Sequence, residues 1–166
     1  MIEASKITDG LWQGSVPPFG RTLSRSGFGV VVLCAQEHQP SADNFPGVDV
    51  ARIDLIDDGT PLTRDQFKKS LFLSAHLCRA MRRGSQVLVT CMQGRNRSGL
   101  IAALTLARAT GCDGHTATRA IQERRNGPFG PALTNSQYVK ALKLIPAAPS
   151  RGLITSQAAM AARLTG

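Results

Sequence analysis

Between Gln86 and Arg108 the chain passes from a strand through a short polar loop into a helix with no polar side, and few architectures accommodate that order. Gln86-Val87-Leu88-Val89-Thr90 is apolar and β-branched, the composition of a buried strand. Cys91-Met92-Gln93-Gly94-Arg95-Asn96-Arg97-Ser98 is polar and bears a central glycine. From Gly99 to Arg108 nearly every residue is apolar, with Leu100, Ile101, Ala102, Ala103, Leu104, Leu106 and Ala107. A helix apolar on every side belongs in the middle of a domain.

The flanking sequence supplies the layers around it. Gly10–Ser15 reads as a short strand bounded by glycines, Gly29–Cys34 as an apolar β-branched strand, and Val48–Leu55 as an alternating one. Ser41–Gly47 is a loop by its turn residues. Thr63-Arg64-Asp65-Gln66 has the form of a capping box, followed by Phe67, Leu71, Ala75 and Cys78 at helical spacing, so a helix is predicted up to about Arg83. Two more helices are predicted over about 116–125 and 135–144, separated by Pro128, Gly130 and Pro131. Strands alternating with helices predict a single α/β domain with a central mixed or parallel sheet flanked by helices. The domain is expected over residues 1–147, with a small-residue tail over 148–166. Such sheets bind ligands beyond the carboxyl ends of their strands, which is where the Cys91 loop falls.

Composition narrows the chemistry. The chain has 166 residues, 42% apolar and 19% charged, which is globular composition. Its net charge of +9 rests on fifteen arginines against five lysines. Arginine's planar fork matches phosphate oxygens, so either an anionic partner or a solvated basic face fits. One Trp, one Tyr and six Phe leave little for nucleic-acid stacking platforms. Cys34, Cys78, Cys91 and Cys112 form no C-x-x-C pair, and His38, His76 and His115 lack metal-ligand spacing, so no metal, cofactor or disulfide framework is expected. No apolar run is long enough to span a bilayer, and Met1–Lys6 lacks the plan of a signal peptide. The expectation is a cytoplasmic monomer.

The Cys91 loop carries the reactive groups. Cys91 and Arg97 enclose five residues, and Ser98 follows. A tight loop opening a helix turns its backbone N–H groups toward a common point, a donor array for an anion. Residues Met92, Gln93, Gly94, Arg95, Asn96 and Arg97 are therefore candidate phosphate binders. Helix N-termini and nearby cations also favour a thiolate over a thiol. Arg97 can hold two phosphoryl oxygens in a bidentate grip, and Ser98 can donate a hydrogen bond to sulfur.

These residues resemble the cysteine-dependent protein tyrosine phosphatase superfamily, particularly its compact dual-specificity branch. Val89-Thr90-Cys91 through Arg97-Ser98-Gly99 is similar to the family signature, in which HC is followed by five residues, R, and S or T. The resemblance extends through Ile7–Ser15 and Val30–Glu37 and ends near Leu142. It implies a phosphatase with Cys91 as nucleophile, Arg97 as phosphate ligand and Ser98 as helper of the leaving sulfur. An aspartate before a proline serves as general acid in the family. In Ile53–Pro61 that role falls to Asp57, with Asp58 as alternate. Cys34 stands where some relatives carry a second cysteine that captures the oxidised nucleophile, and a core cysteine reads the same way. Asn135 and Gln137 resemble a region that orients water in some relatives, although a helix start there needs a cap in any case. Arg95, inside the loop, is similar to basic residues of phosphoinositide phosphatases, and Gly94-Arg95-Asn96-Arg97 resembles the Gly-x-Asn-Arg of RNA triphosphatase relatives. A second cation at the mouth would suit substrates with several phosphates, whereas an Arg95 pointing outward would only add charge. Thr90 departs from the family's histidine, which helps hold the loop, so altered activity is compatible with the resemblance. Phosphoprotein, including phosphotyrosine, is the first expectation for substrate, and lipid or RNA phosphate the second. A phosphate-binding module without turnover is the reading from another class.

Overall fold

The computed structural model describes residues 2–128 and 130–148. Of the tail expected over 148–166, all but its first residue lies outside the described residues.

Strand β1 (Ala4–Thr8) turns at Gly10, whose φ is 78°, and returns as β2 (Leu11–Gly14), antiparallel to it. A one-turn helix α1 (Thr22–Arg25) precedes β3 (Phe28–Ala35), and a 3-10 turn (Ala42–Asn44) precedes β4 (Asp49–Leu55). Helix α2 (Arg64–Arg82) begins at the expected capping box. Thr63 Oγ1 accepts from Gln66 N at 3.1 Å, and Gln66 Oε1 accepts from Thr63 N at 3.0 Å. Then come β5 (Gln86–Thr90), α3 (Arg97–Thr110) and α4 (Gly114–Arg124). A small hairpin of β6 (Asn126–Gly127) and β7 (Gly130–Pro131) leads to α5 (Ser136–Leu142). Gly111 ends α3 in the left-handed conformation that favours glycine.

The sheet runs β1-β2-β5-β3-β4, and every pairing except β1 with β2 is parallel. This is the expected mixed sheet. Alternation along β3 and β5 sorts side chains between its faces. Val30, Val32, Cys34, Val87, Val89 and the following Cys91 join the larger core cluster with α2, α3, α4 and α5. Val31, Leu33 and Leu88 join a smaller one with Leu23, Phe28 and Phe45. Twelve of the fourteen residues of α3 are buried, which satisfies its lack of a polar side. Truncating one of them, such as fully buried Leu100, to alanine costs about 2–5 kcal/mol and is the simplest way to loosen this centre.

The differences from expectation are local. Helix α4 begins at Gly114 because Asp113 caps it, accepting from Thr116 N at 2.7 Å. Helix α1, the 3-10 turn and the β6–β7 hairpin are too short to leave a periodic signal in the sequence.

Candidate active site

The Cys91 loop joins the end of β5 to the start of α3, at the carboxyl edge of the parallel strands. Just before it, Thr90 Oγ1 donates to Val32 O at 2.7 Å and ties β5 to β3. Gly94 takes φ 63°, and a Cβ there would lie 2.5 Å from the Gly14 carbonyl carbon, so the loop passes β2 at a distance open only to glycine. Its carbonyl accepts from Gln13 Nε2 and from Arg125 Nε, each at 3.0 Å. Arg125 is in turn paired with Glu3, whose carboxyl this contact holds below the usual carboxylate range.

The N–H groups of Met92 through Ser98 meet no acceptor among the described residues. Asn96, at the N-cap of α3, makes no side-chain cap. Its side chain bonds elsewhere, so the first turn of the helix keeps its donors.

Cys91 is 5% exposed, and its Sγ lies 3.3 Å from Ser98 Oγ. Arg97, also buried, places Nη1 2.5 Å from Glu37 Oε2. Burial works against the guanidinium charge, but Glu37 together with the nearby Cys91 and Asp57 more than offsets it, and the pKa of Arg97 is raised. Reciprocally, the hydrogen bond from Arg97 lowers that of Glu37. Arg97 Nε has no partner among the described residues. A cleft of about 510 Å³ opens above, lined by Gln36, Glu37, Ile56, Asp57, Asp58 and Arg97.

Asp57 is fixed at that cleft by amides from two distant elements. Asn96 Nδ2 donates to Oδ2 at 3.0 Å and Asn135 Nδ2 to Oδ1 at 2.8 Å. Asn135 also caps α5 through Oδ1, accepting from Gln137 N and Tyr138 N, so the cap and the site share one residue. Tyr138 Oη, on the same helix, donates to Ile56 O at 2.7 Å, and burial pushes its phenol pKa up. Asp58 behaves differently. Its Oδ1 accepts from Thr60 N and Thr60 Oγ1, which lower its pKa and make it the stabiliser of its own turn.

Arg95 does not stand at the mouth of this cleft. Its Nη2 donates to Pro131 O at 2.9 Å, and its side chain lines a separate cavity of about 390 Å³ with Glu3, Gln93, Arg125 and the β6–β7 hairpin. The unanticipated hairpin offers that carbonyl and draws the side chain away, leaving only the Arg95 N–H with the loop. Cys34 is fully buried, and burial raises its thiol pKa. Leu33 pairs with Thr90 across β3 and β5, so Cys34 and Cys91 follow at neighbouring positions and share one core cluster. Cys78 is a packing residue whose Sγ lies 3.4 Å from Thr105 O. Among the described residues no group of three His, Cys, Asp or Glu could hold a metal ion.

Three residues of the site went unmarked in the sequence: Gln13, Glu37 and Arg125. Gln13 had a signal, a carboxamide inside the short apolar strand around Leu11. Glu37 follows β3 directly, at the edge where such sheets bind ligands. Arg125 had none beyond its charge.

No protein-family model matches the sequence, and no curated protein matches it. Solved structures do. Human DUSP28 is 25% identical, with a TM-score of 0.68 over 85% of this chain and 93% of that one. A mouse putative dual specificity phosphatase, complexed with zinc tungstate, is 24% identical, with a TM-score of 0.70 over 87% and 89%. Tk-PTP in its active form is 23% identical, with a TM-score of 0.70 over 86% and 95%. The fold is that of the cysteine-dependent protein tyrosine phosphatase superfamily. It takes the compact dual-specificity form, and the resemblance carried by the Cys91 loop is borne out.

Proposed function

We propose that the protein is a cysteine-dependent phosphatase that hydrolyses phosphomonoesters through a phospho-cysteine intermediate. The observation that carries this reading is the loop itself. Cys91 is followed by seven N–H groups, Met92 through Ser98, with no acceptor among the described residues, and Arg97 lies within that run. A phosphoryl group accepts from such an array, while Arg97 uses the Nε edge that Glu37 leaves open to grip two oxygens. The Cys91 thiolate attacks phosphorus in line, the P–O bond breaks, and the leaving oxygen takes a proton from Asp57. Water then attacks phosphorus and gives its proton to Asp57. The S–P bond breaks, and its electron pair returns to Sγ beside the Ser98 hydroxyl.

The proposed substrate class is phosphotyrosine, and phosphoserine or phosphothreonine, of proteins. Among the described residues lining the cleft Arg97 is the only arginine, and Ile56, 46% exposed, adds an apolar wall for an aryl ring. One cation favours one phosphate, so lipid or RNA substrates bearing several stand second.

The test is turnover of p-nitrophenyl phosphate with EDTA present. Activity that survives chelation and vanishes in Cys91→Ser is the expected result. Oxyanion binding without hydrolysis from pH 5 to 8 would leave a phosphate-binding module instead. A panel of phosphopeptides, phosphoinositides and triphosphate RNA then ranks the substrates.

A further inference from the structure

Behind the loop, on its core side, lies a group that the mechanism has not used. Gln13 sits on β2 opposite Val89 and is completely buried. A carboxamide at such a depth is costly unless it is bonded. Its Nε2 faces three acceptors: Gly94 O at 3.0 Å, Arg95 O at 3.2 Å and Ser98 Oγ at 3.3 Å. Flipping the amide would set Oε1 against two carbonyl oxygens, so the orientation is fixed by the network. Oε1 itself is buried with no partner among the described residues, and nothing on its side explains why a polar residue stands here. The explanation lies with Nε2.

Two consequences follow from elementary geometry. In a trans peptide the N–H points opposite to the C=O. Holding the carbonyls of Gly94 and Arg95 on the core side therefore turns the N–H groups of Arg95 and Asn96 outward. Secondly, Nε2 can only donate, its two hydrogens being shared among the three acceptors, so Ser98 Oγ accepts on that side and its own hydrogen is left for Cys91 Sγ. Distance alone leaves the direction of the Cys91–Ser98 bond open; Gln13 decides it. Thr90, the nearest polar neighbour on β5, is committed to Val32 O and braces the sheet rather than the loop.

We propose that Gln13 is a positioning residue of the reaction: from β2 it aims the Arg95 and Asn96 amides at the phosphoryl group and makes the Ser98 hydroxyl a donor to the sulfur of Cys91. The inference rests on the phosphatase reading above. It predicts where the effect falls. Attack of water on the phospho-cysteine expels the sulfur with its electron pair, and that sulfur is what the Ser98 hydroxyl stabilises. The second step therefore suffers more than the first.

The experiment compares Gln13→Met, which has similar length and no donor, with Ser98→Ala and the double variant in rapid mixing with p-nitrophenyl phosphate. Gln13→Met is expected to lower kcat roughly tenfold while a burst of about one equivalent of nitrophenol appears, as phospho-enzyme accumulates. The double variant is expected to be no slower than Ser98→Ala, because both changes break one linkage. Tungstate binding is expected to weaken by about tenfold in Gln13→Met, since the amides are no longer aimed. A parent-like kcat, losses that multiply in the double variant, or a slowed step without a burst would each overturn the proposal. If the parent enzyme shows no turnover, the phosphatase reading fails, and equal tungstate affinity in parent and variant then overturns this inference separately. Circular dichroism checks the fold. Should Met not be accommodated, the isosteric Gln13→Glu carries the same comparison, and parent-like tungstate binding by it is the overturning result.

Discussion

The loop at Cys91 and the loop at Asp57 border one cleft and are held by opposite means. The first lies between a buried strand and a buried helix, and Cys91, Gly94, Arg97 and Ser98 are themselves buried. Its conformation follows from its neighbours in the chain, from a positive φ at Gly94 and from carbonyls tied to Gln13 and Arg125. The second, Ile56 to Thr60, is exposed throughout. It is pinned by Asn96, Asn135 and Tyr138, which lie 39, 78 and 82 residues further along from their partners. The first loop is fixed by backbone geometry and buried side-chain bonds together, whereas the second hangs on a few side-chain bonds and can be released one bond at a time.

Asp57→Ala breaks the comparison most severely. With poor alkyl leaving groups it should slow turnover by about 10²- to 10⁴-fold, the range of general acid catalysis, and affect activated aryl phosphates far less. Asp58→Ala, which removes only the two turn bonds to Thr60, should leave that selectivity intact; steady-state rates across a leaving-group series check both. Arg97→Lys attacks the buried side. It keeps the charge but loses the planar fork that meets both phosphoryl oxygens and Glu37, and kcat/KM should fall roughly 10²- to 10³-fold.

Releasing the exposed loop should be milder. Asn135→Ala and Tyr138→Phe each remove one anchor, and at about 1 kcal/mol for such a bond the expected losses are near fivefold, again concentrated on poor leaving groups. An equal loss on activated substrates would mean that these residues act on the fold rather than on Asp57. The smallest effect concerns Cys34. Neighbouring strands run about 4.8 Å apart, within the span of a disulfide, so peroxide should yield a Cys34–Cys91 link in non-reducing peptide mapping. In Cys34→Ala, thiol reductants should then recover less activity after oxidation, because Cys91 proceeds to sulfinic acid.

How far the sequence could be read follows from the same contrast. The strand, loop and helix around Cys91 occupy one continuous stretch with distinct hydrophobic patterns, and the structure places β5 at the expected residues. The capping box of α2 was equally local, down to both of its hydrogen bonds. Asp57 could be proposed over Asp58 from register, but its partners Asn96 and Asn135 reach it only through the folded chain. The same holds for Glu37, whose role depends on β3 lying beside β5. Arg95 marks the limit from the other side. Its position inside the loop was compatible with the cleft or with an outward course, and its direction depended on a hairpin of two two-residue strands that carries no periodic signal.

The clasp between Arg125 and Glu3 sets an order of events during synthesis. The carbonyl of Gly94 gains its second donor from Arg125, which in turn reaches back to Glu3 and Ser5 at the opening strand. A ribosome releases β1, β2 and the cysteine well before it releases residue 125. The second donor to Gly94 is therefore out of reach until the end of helix α4 has emerged, and the loop is fully fastened only then.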